Sequence, residues 1–227
     1  MVRRAVVLLS GGMDSAVCLR VAQRDGFEPW TLSFDYGQRH RAELAAARAV
    51  AAACGVPAAR RRVLRLSRAF AGSALTGDGP VALDRAPTEI GADVPATYVP
   101  ARNIVFLSLA TALAEPLGAR DLFIGVNTLD YSGYPDCRPA FIAAFTEAVR
   151  LGTVGGVHIH TPLAELDKAG IVRLGHTLEA PFAQTLSCYL GSRPACGRCD
   201  ACQLRRRGFA AAGCVDPIPY ATTPSEP

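Results

Sequence analysis

The chain has 227 residues, half of them hydrophobic, with 24 basic residues against 20 acidic ones and a formal charge of +4. That length suits one large domain, or a domain with an appended subdomain, burying roughly 70–75% of its unfolded surface; the apolar content excludes a disordered or collagen-like chain. The mild charge gives little reason to expect a nucleic-acid partner, and no apolar run approaches the about 20 residues of a membrane-spanning helix.

The start, Met1-Val2-Arg3-Arg4 followed by AVVLL over 5–9, imitates a secretion signal. Its apolar stretch is short, however, and runs into Ser10-Gly11-Gly12 with no cleavage site. The expectation is a cytoplasmic protein, where clustered cysteines point to metal or catalysis rather than disulfides. Residues 5–9 predict a buried parallel strand, and helical periodicity follows over 14–24. A second strand is expected at 30–34 and an Ala-rich helix over 39–54, closed by Gly55 and Pro57. A third strand fits 63–66. Glycines and prolines such as Gly72, Gly79, Pro80, Pro87 and Pro95 then break every pattern from 67 to 97, a loop long enough to be functional or mobile.

Beyond it the pattern predicts a helix over 102–117, a strand at 122–126 (LFIGV), a turn-rich loop over 127–139 and a helix opened by Pro139 and running to 150. A fifth strand at 157–161 and a helix over 168–178 complete the alternation. Strands alternating with helices indicate a Rossmann-like, doubly wound parallel α/β sheet, which binds ligands beyond the carboxyl ends of its strands. The expected division is a main domain over 1–180, a cysteine-bearing subdomain over 181–214 that includes a short Arg-rich helix, and a Pro-rich tail over 215–227.

Three constellations carry chemistry. Ser10-Gly11-Gly12-Met13-Asp14-Ser15 joins the first strand to a helix through a Gly-Gly turn. Backbone N–H groups, the helix dipole and two serine hydroxyls would cradle phosphate, while Asp14 would hold Mg²⁺ or cap the helix. No Gly-Lys-[Ser/Thr] follows, so this is not a Walker loop; an ordinary strand-to-helix turn is the bland alternative. The second constellation runs from Asn127 through Asp130, Tyr131, Tyr134, Asp136 and Cys137 to Arg138. Tyrosine faces suit a planar heterocycle, carboxylates accept from ring N–H and exocyclic amines, and Arg138 could pair with a carboxylate or phosphate. A polar surface loop is the alternative there. In the third, Cys188, Cys196, Cys199 and Cys202 have the spacing C-x7-C-x2-C-x2-C, with Gly197 inside the Cys-Gly-x-Cys step. Four thiolates suit a closed tetrahedral Zn²⁺ site, with an iron–sulfur cluster as rival.

The hexapeptide at 10–15 resembles the SGGxDS pyrophosphate loop of the N-type ATP pyrophosphatases (the PP-loop superfamily). The stretch GVN..DYSGYPDCR and the segment Tyr98-Val99-Pro100-Ala101-Arg102-Asn103 are similar to the signatures of the 7-cyano-7-deazaguanine synthases within that group, a likeness extending from Ser10 to Cys202. The resemblance implies an adenine nucleotide alpha hydrolase-like fold in queuosine biosynthesis, and an ATP-dependent ligase that converts 7-carboxy-7-deazaguanine and ammonia to the nitrile through adenylylated carboxylate and amide. It implies Ser10, Gly11, Gly12, Met13, Asp14 and Ser15 on pyrophosphate with Mg²⁺, and adenine near Ser33 and Phe34. Arg102, Asn103 and Lys168 would serve phosphates or developing charge. The deazaguanine would meet Asn127, Asp130, Tyr131, Tyr134, Asp136 and Arg138. It further implies one structural zinc per chain on the four cysteines and a homodimer. Another PP-loop enzyme, thiolating tRNA or amidating a different acid, and a non-catalytic nucleotide-binding zinc module are the alternatives.

The remaining signals are weaker. Lys168 is the single lysine against 23 arginines, which suggests a position that only a compact ammonium can serve. Its place after the fifth strand resembles the lysine that contacts ATP phosphates in several pyrophosphatase families. Arg198, Arg205, Arg206 and Arg207 read as a solvated face or an intersubunit surface, with no direct nucleic-acid contact expected. Cys18 and Cys54 read as core residues, Cys214 as incidental, and Cys137 as lacking any histidine to activate it.

Overall fold

Every side chain from Ala5 to Leu9 is buried, as the central strand of a parallel sheet requires when both of its faces are covered. That run forms β1 (Arg3–Leu8) in a computed structural model that describes residues 2–66, 69–77, 79–86, 88–90, 94–127 and 134–221. The other strands are β2 (Phe27–Asp35), β3 (Arg61–Arg65), β4 (Asp121–Phe123) and β5 (His158–His160). All pairs are parallel and the order is β3-β2-β1-β4-β5. The chain therefore winds outward from β1 to β3, then crosses back to start again at β4. This reversal opens a crevice between the carboxyl ends of β1 and β4. The doubly wound parallel sheet expected from the sequence is the fold observed.

Alternation along β1 divides the core. Ala5, Val7 and Leu9 pack with α1 (Met13–Arg24), α2 (Ala42–Ala53), α5 (Lys168–Thr177) and Phe209 of α6 (Asp200–Ala211). Val6 and Leu8 face the other way, against α3 (Arg102–Ala114) and α4 (Pro139–Gly152). A third cluster joins Ala46 of α2, Ala74, Val81 and Leu186 to the four clustered cysteines.

Most element ends lie a few residues from the expected bounds, and for β2 and β4 the physical reason is visible. β2 begins at Phe27 because its ladder with β1 starts there, opposite Arg3; Pro29 is tolerated because β3 joins only at Thr31. β4 stops at Phe123, short of the predicted 126. Ile124 N–H still bonds His160 O at 3.1 Å, after which Gly125 turns in against α1.

The long punctuated stretch after β3 is anchored where it is described. Leu83 makes an antiparallel bridge with Cys199, Asp84 N–H donates to Arg198 O at 2.9 Å, and Ala74 N–H donates to Ala96 O. The described part of the Pro-rich tail also returns to the cysteine segment, where Ala195 N–H donates to Pro219 O at 3.0 Å and Ala221 N–H to Ala195 O at 2.7 Å. No helix among the described residues is long and apolar enough to cross a membrane.

Candidate nucleotide site and metal centre

The Ser10–Ser15 turn sits at the mouth of the crevice. Gly11 has φ +91°, and a Cβ there would lie 2.5 Å from Glu43 O and 2.6 Å from Ala47 N, so only glycine lets the turn press onto α2. No side chain caps the N-terminus of α1, which leaves its first-turn amides to an anion. The hydroxyls are pre-set: Ser10 Oγ donates to Ser15 Oγ at 3.1 Å, Ser15 Oγ to Gly12 O at 2.9 Å, and Gly12 N–H to Ser10 Oγ at 3.2 Å. On the β4 side Gly125 closes the wall. A Cβ there would stand 3.1 Å from the Asp14 carbonyl.

Lys168 opens α5, whose N-cap Asp167 accepts from Gly170 N–H at 2.6 Å. The lysine is 8% exposed, and its Nζ donates to Asp14 Oδ2 at 3.0 Å and Oδ1 at 3.2 Å. Residues 154 apart in sequence thus meet at the first turn of α1. Asn127 donates to Leu163 O at 3.1 Å and also to Leu166 O, tying the segment after β4 to the turn that delivers the lysine.

These groups line one cavity of about 280 Å³ together with Ser33, Phe34, Arg102, Asn103, Tyr134 and Cys137. Phe34 stacks on Phe106 at 3.8 Å between ring centres, and Ser33 Oγ donates to Leu9 O at 2.6 Å. Arg102 is the first residue of α3, behind Ala101 in the left-handed region at φ 57°. Burial works against its charge, but the phenols of Tyr36 and Tyr134 alongside hold its pKa above the ordinary value. The same burial raises both phenols, with Arg102 pulling each back. Burial likewise pushes the Glu43 carboxyl up to about 7, against the pull of Arg102 and with a smaller push from Cys188.

Other predicted residues stand behind the wall. Asp136 Oδ2 accepts from Asn103 N–H at 2.9 Å, and Asn103 Nδ2 donates to Asp136 O and Cys137 Sγ, both at 3.2 Å. Asp136 therefore supports the first turn of α3, and neither it nor Arg138, the exposed N-cap of α4, lines the cavity. Gly11 also lies behind the lining. Asp130 and Tyr131 fall outside the described residues.

Cys188, Cys196, Cys199 and Cys202 are all buried, with sulfurs within 4.8 Å of one another. The knuckle turns two amides onto Cys196 Sγ, Arg198 N–H at 3.4 Å and Cys199 N–H at 3.3 Å, while Cys196 N–H donates to Cys188 Sγ at 3.4 Å. Hydrogen bonds from Cys199 and Cys202 hold the Cys188 thiol far below its ordinary pKa, and sharing with Cys188 pushes Cys199 up to about 12. Four buried thiols this close together are a donor set that a tetrahedral cation can take up with loss of their protons. The four cysteines can therefore hold one metal ion.

Several functional neighbours left no motif in the sequence. Tyr36, Gln38, Glu43, Phe106 and Tyr189 line the cavity from loops and helices with no diagnostic spacing. Arg205 corrects the reading of the arginine run as a solvated face. It is 1% exposed, pairs with Asp216 at 2.7 and 2.9 Å, and donates to Phe182 O. Helical phase could have found it, because Arg205 shares a face with buried Cys202 and Phe209. Arg207 is exposed, as expected of that run.

A parallel α/β sheet with an SGGxDS turn at its switch point, a lysine–aspartate pair beside that turn and a four-thiol centre defines a PP-loop protein. Comparison with known proteins narrows the class. The model of the family described as queuosine biosynthesis protein QueC matches residues 4–213, and the chain belongs to that family. It is 56% identical over 228 residues to the 7-cyano-7-deazaguanine synthase of Anaeromyxobacter dehalogenans (strain 2CP-C), covering 96% of each chain. The synthase of the same name from Thermosynechococcus vestitus (strain NIES-2133 / IAM M-273 / BP-1) is 53% identical over 230 residues, covering 98% of this chain and 97% of that one. The family resemblance read from the motifs is borne out.

Proposed function

We propose that the protein is an ATP-dependent carbon–nitrogen ligase that converts 7-carboxy-7-deazaguanine and ammonia to 7-cyano-7-deazaguanine. The observation that carries this reading is a single cavity joining the Ser10–Ser15 turn, the Asp14–Lys168 pair and the Arg102–Tyr134 wall. A carboxylate is a poor electrophile, and its oxygen must first attack the ATP α-phosphate with pyrophosphate leaving. Ammonia then displaces AMP to give the amide. A second adenylylation, on the amide oxygen, lets that oxygen depart with AMP and leaves the nitrile.

The residues act by positioning and charge. Ser10, Gly12, Ser15 and the first-turn amides of α1 hold the β,γ-pyrophosphate, and Lys168 neutralises its growing charge. Asp14 presents an accessible carboxylate beside the turn, a donor that suits Mg²⁺, and a magnesium ion bound there would screen the phosphates. Backbone near Ser33 and Phe34 receives adenine. Arg102 and Asn103 face the phosphoryl or acyl oxygens, with Asp136 holding α3 in place. Asn127, Tyr134 and the segment bearing Asp130 and Tyr131 receive the deazaguanine, with Arg138 outside the cavity wall.

Zinc is the proposed occupant of the thiol centre. Cys196 and Cys202 sulfurs stand 3.8 Å apart, the edge of a tetrahedron with metal–sulfur bonds of about 2.3 Å, whereas the cysteines of an iron–sulfur cube stand further apart. We further propose the division into 1–180 and 181–214 with a tail, a cytoplasmic homodimer, and no nucleic-acid contact. Purified protein given Mg·ATP, ammonium and 7-carboxy-7-deazaguanine should release AMP and pyrophosphate and form the nitrile by mass spectrometry. No nitrile under these conditions overturns the assignment.

A further inference from the structure

We infer that Gly208 is a positioning residue whose missing side chain forms the slot that aims Lys168 at Asp14 and the phosphate turn. The inference deepens the proposed role of Lys168 and rests on it. Glycine inside a helix weakens the helix and calls for a packing reason. At Gly208 that reason is visible. A Cβ there would lie 2.4 Å from Lys168 Cγ, 2.9 Å from its Cβ and 3.2 Å from its carbonyl carbon. Two of those atoms are fixed to the backbone of α5 and cannot swing aside.

Neither wall of the slot is free to retreat. α6 is fixed at its start, where Cys199 is the N-cap and Cys202 lies in the first turn. It is fixed again one turn before Gly208 by the Arg205–Asp216 pair. α5 is fixed by the Asp167 cap and by Ile171 and Val172 in the core. The lysine stem lies between these two packed helices, and its ammonium emerges at Asp14. The cysteine segment thereby reaches the phosphate site through one helix.

Because Lys168 is the only lysine, ¹³C-lysine labelling of the full chain gives one side-chain signal that reports its position whether or not the nitrile is made. Gly208→Ala should shift that signal and lower kcat about tenfold or more, with KM for the carboxy-deazaguanine within about twofold. In a Lys168→Gly background, which removes Cγ and Cβ and leaves only the 3.2 Å approach to the carbonyl carbon, Gly208→Ala should lower kcat and Tm much less than in the wild type. An unmoved lysine signal overturns the inference. So does equal damage in both backgrounds, since Gly208 would then serve the fold alone. A wild type that makes no nitrile, yet whose lysine signal moves in Gly208→Ala, sinks the proposed reaction and leaves the slot standing.

Discussion

Lys168 and Arg205 show how little a residue's identity says before its neighbours are known. Lys168→Arg keeps the charge but replaces a compact ammonium by a planar fork at the end of a tight slot. Pyrophosphate release should fall about 100-fold while the fold persists by circular dichroism; wild-type turnover would make the lone lysine a compositional accident. Arg205 is the opposite case, an arginine in an Arg-rich run that proves to be core. Its 1% exposed side chain is paired with an 8% exposed Asp216, so Arg205→Met leaves a buried carboxylate uncompensated. Urea unfolding should show a loss of about 3–5 kcal/mol, with Asp216→Asn similar and the double variant less than the sum. Cys137 is a third instance. Burial, then Asp136, pushes its thiol up to about 12, and at pH 8 only about one molecule in ten thousand carries the thiolate nucleophile. Iodoacetamide at that pH should modify the partly exposed Cys214 first and spare Cys137 until the chain unfolds, as peptide mass spectrometry would reveal. Rapid alkylation of Cys137 would return it to the candidates for covalent chemistry.

At the scale of elements, the glycines separate what a pattern can announce from what packing imposes. Gly11 and Gly12 stand in a motif whose chemistry is local, and a strand, a Gly-Gly turn and a helix suffice to suggest a phosphate cradle. Gly125 is different, because its constraint comes from Asp14 of α1, 111 residues earlier in the chain. A Cβ at 3.1 Å from the Asp14 carbonyl must push the first turn of α1 by a few tenths of an ångström. Gly125→Ala should therefore cost about 1 kcal/mol of stability but slow pyrophosphate release more than tenfold, since misplacement in a positioned site is costly. Thermal melts and single-turnover assays on one preparation separate the two effects, and a loss confined to stability would leave the cradle tolerant. β2 and β4 make the same point. Their apolar runs were legible, while their ends were set by where neighbouring strands begin pairing.

For the whole molecule, the cysteine segment behaves as a hub rather than an appendage. Leu83 bridges to Cys199, Arg85 pairs with Asp200 at 3.0 Å, Tyr220 donates to Asp216 at 2.7 Å, and α6 runs from the thiols to Lys168. The proposed zinc would tie the four cysteines together, so its removal should loosen every segment attached there. Treatment with a strong chelator should raise amide exchange together in the segments around 81–85, 188–202 and 216–220. Exchange in β1 should stay slow, because its core does not depend on the thiols. Unchanged exchange after verified metal loss would show that packing alone holds the hub.

The sequence by itself determined the parallel α/β class, the Ser10–Ser15 turn and the thiol quartet. Each is written in short-range terms: continuous apolar runs and helical periodicity, a hexapeptide, and a spacing of cysteines. Tertiary structure alone decided that Asp14 meets Lys168, that Asp136 supports α3 from behind the cavity wall, that Glu43 and Tyr189 line that wall, and that Gly208 makes room for the lysine stem. The physical reason is the same throughout. These contacts join residues from separate elements, and their distances are fixed only when the helices on both faces of the sheet have packed.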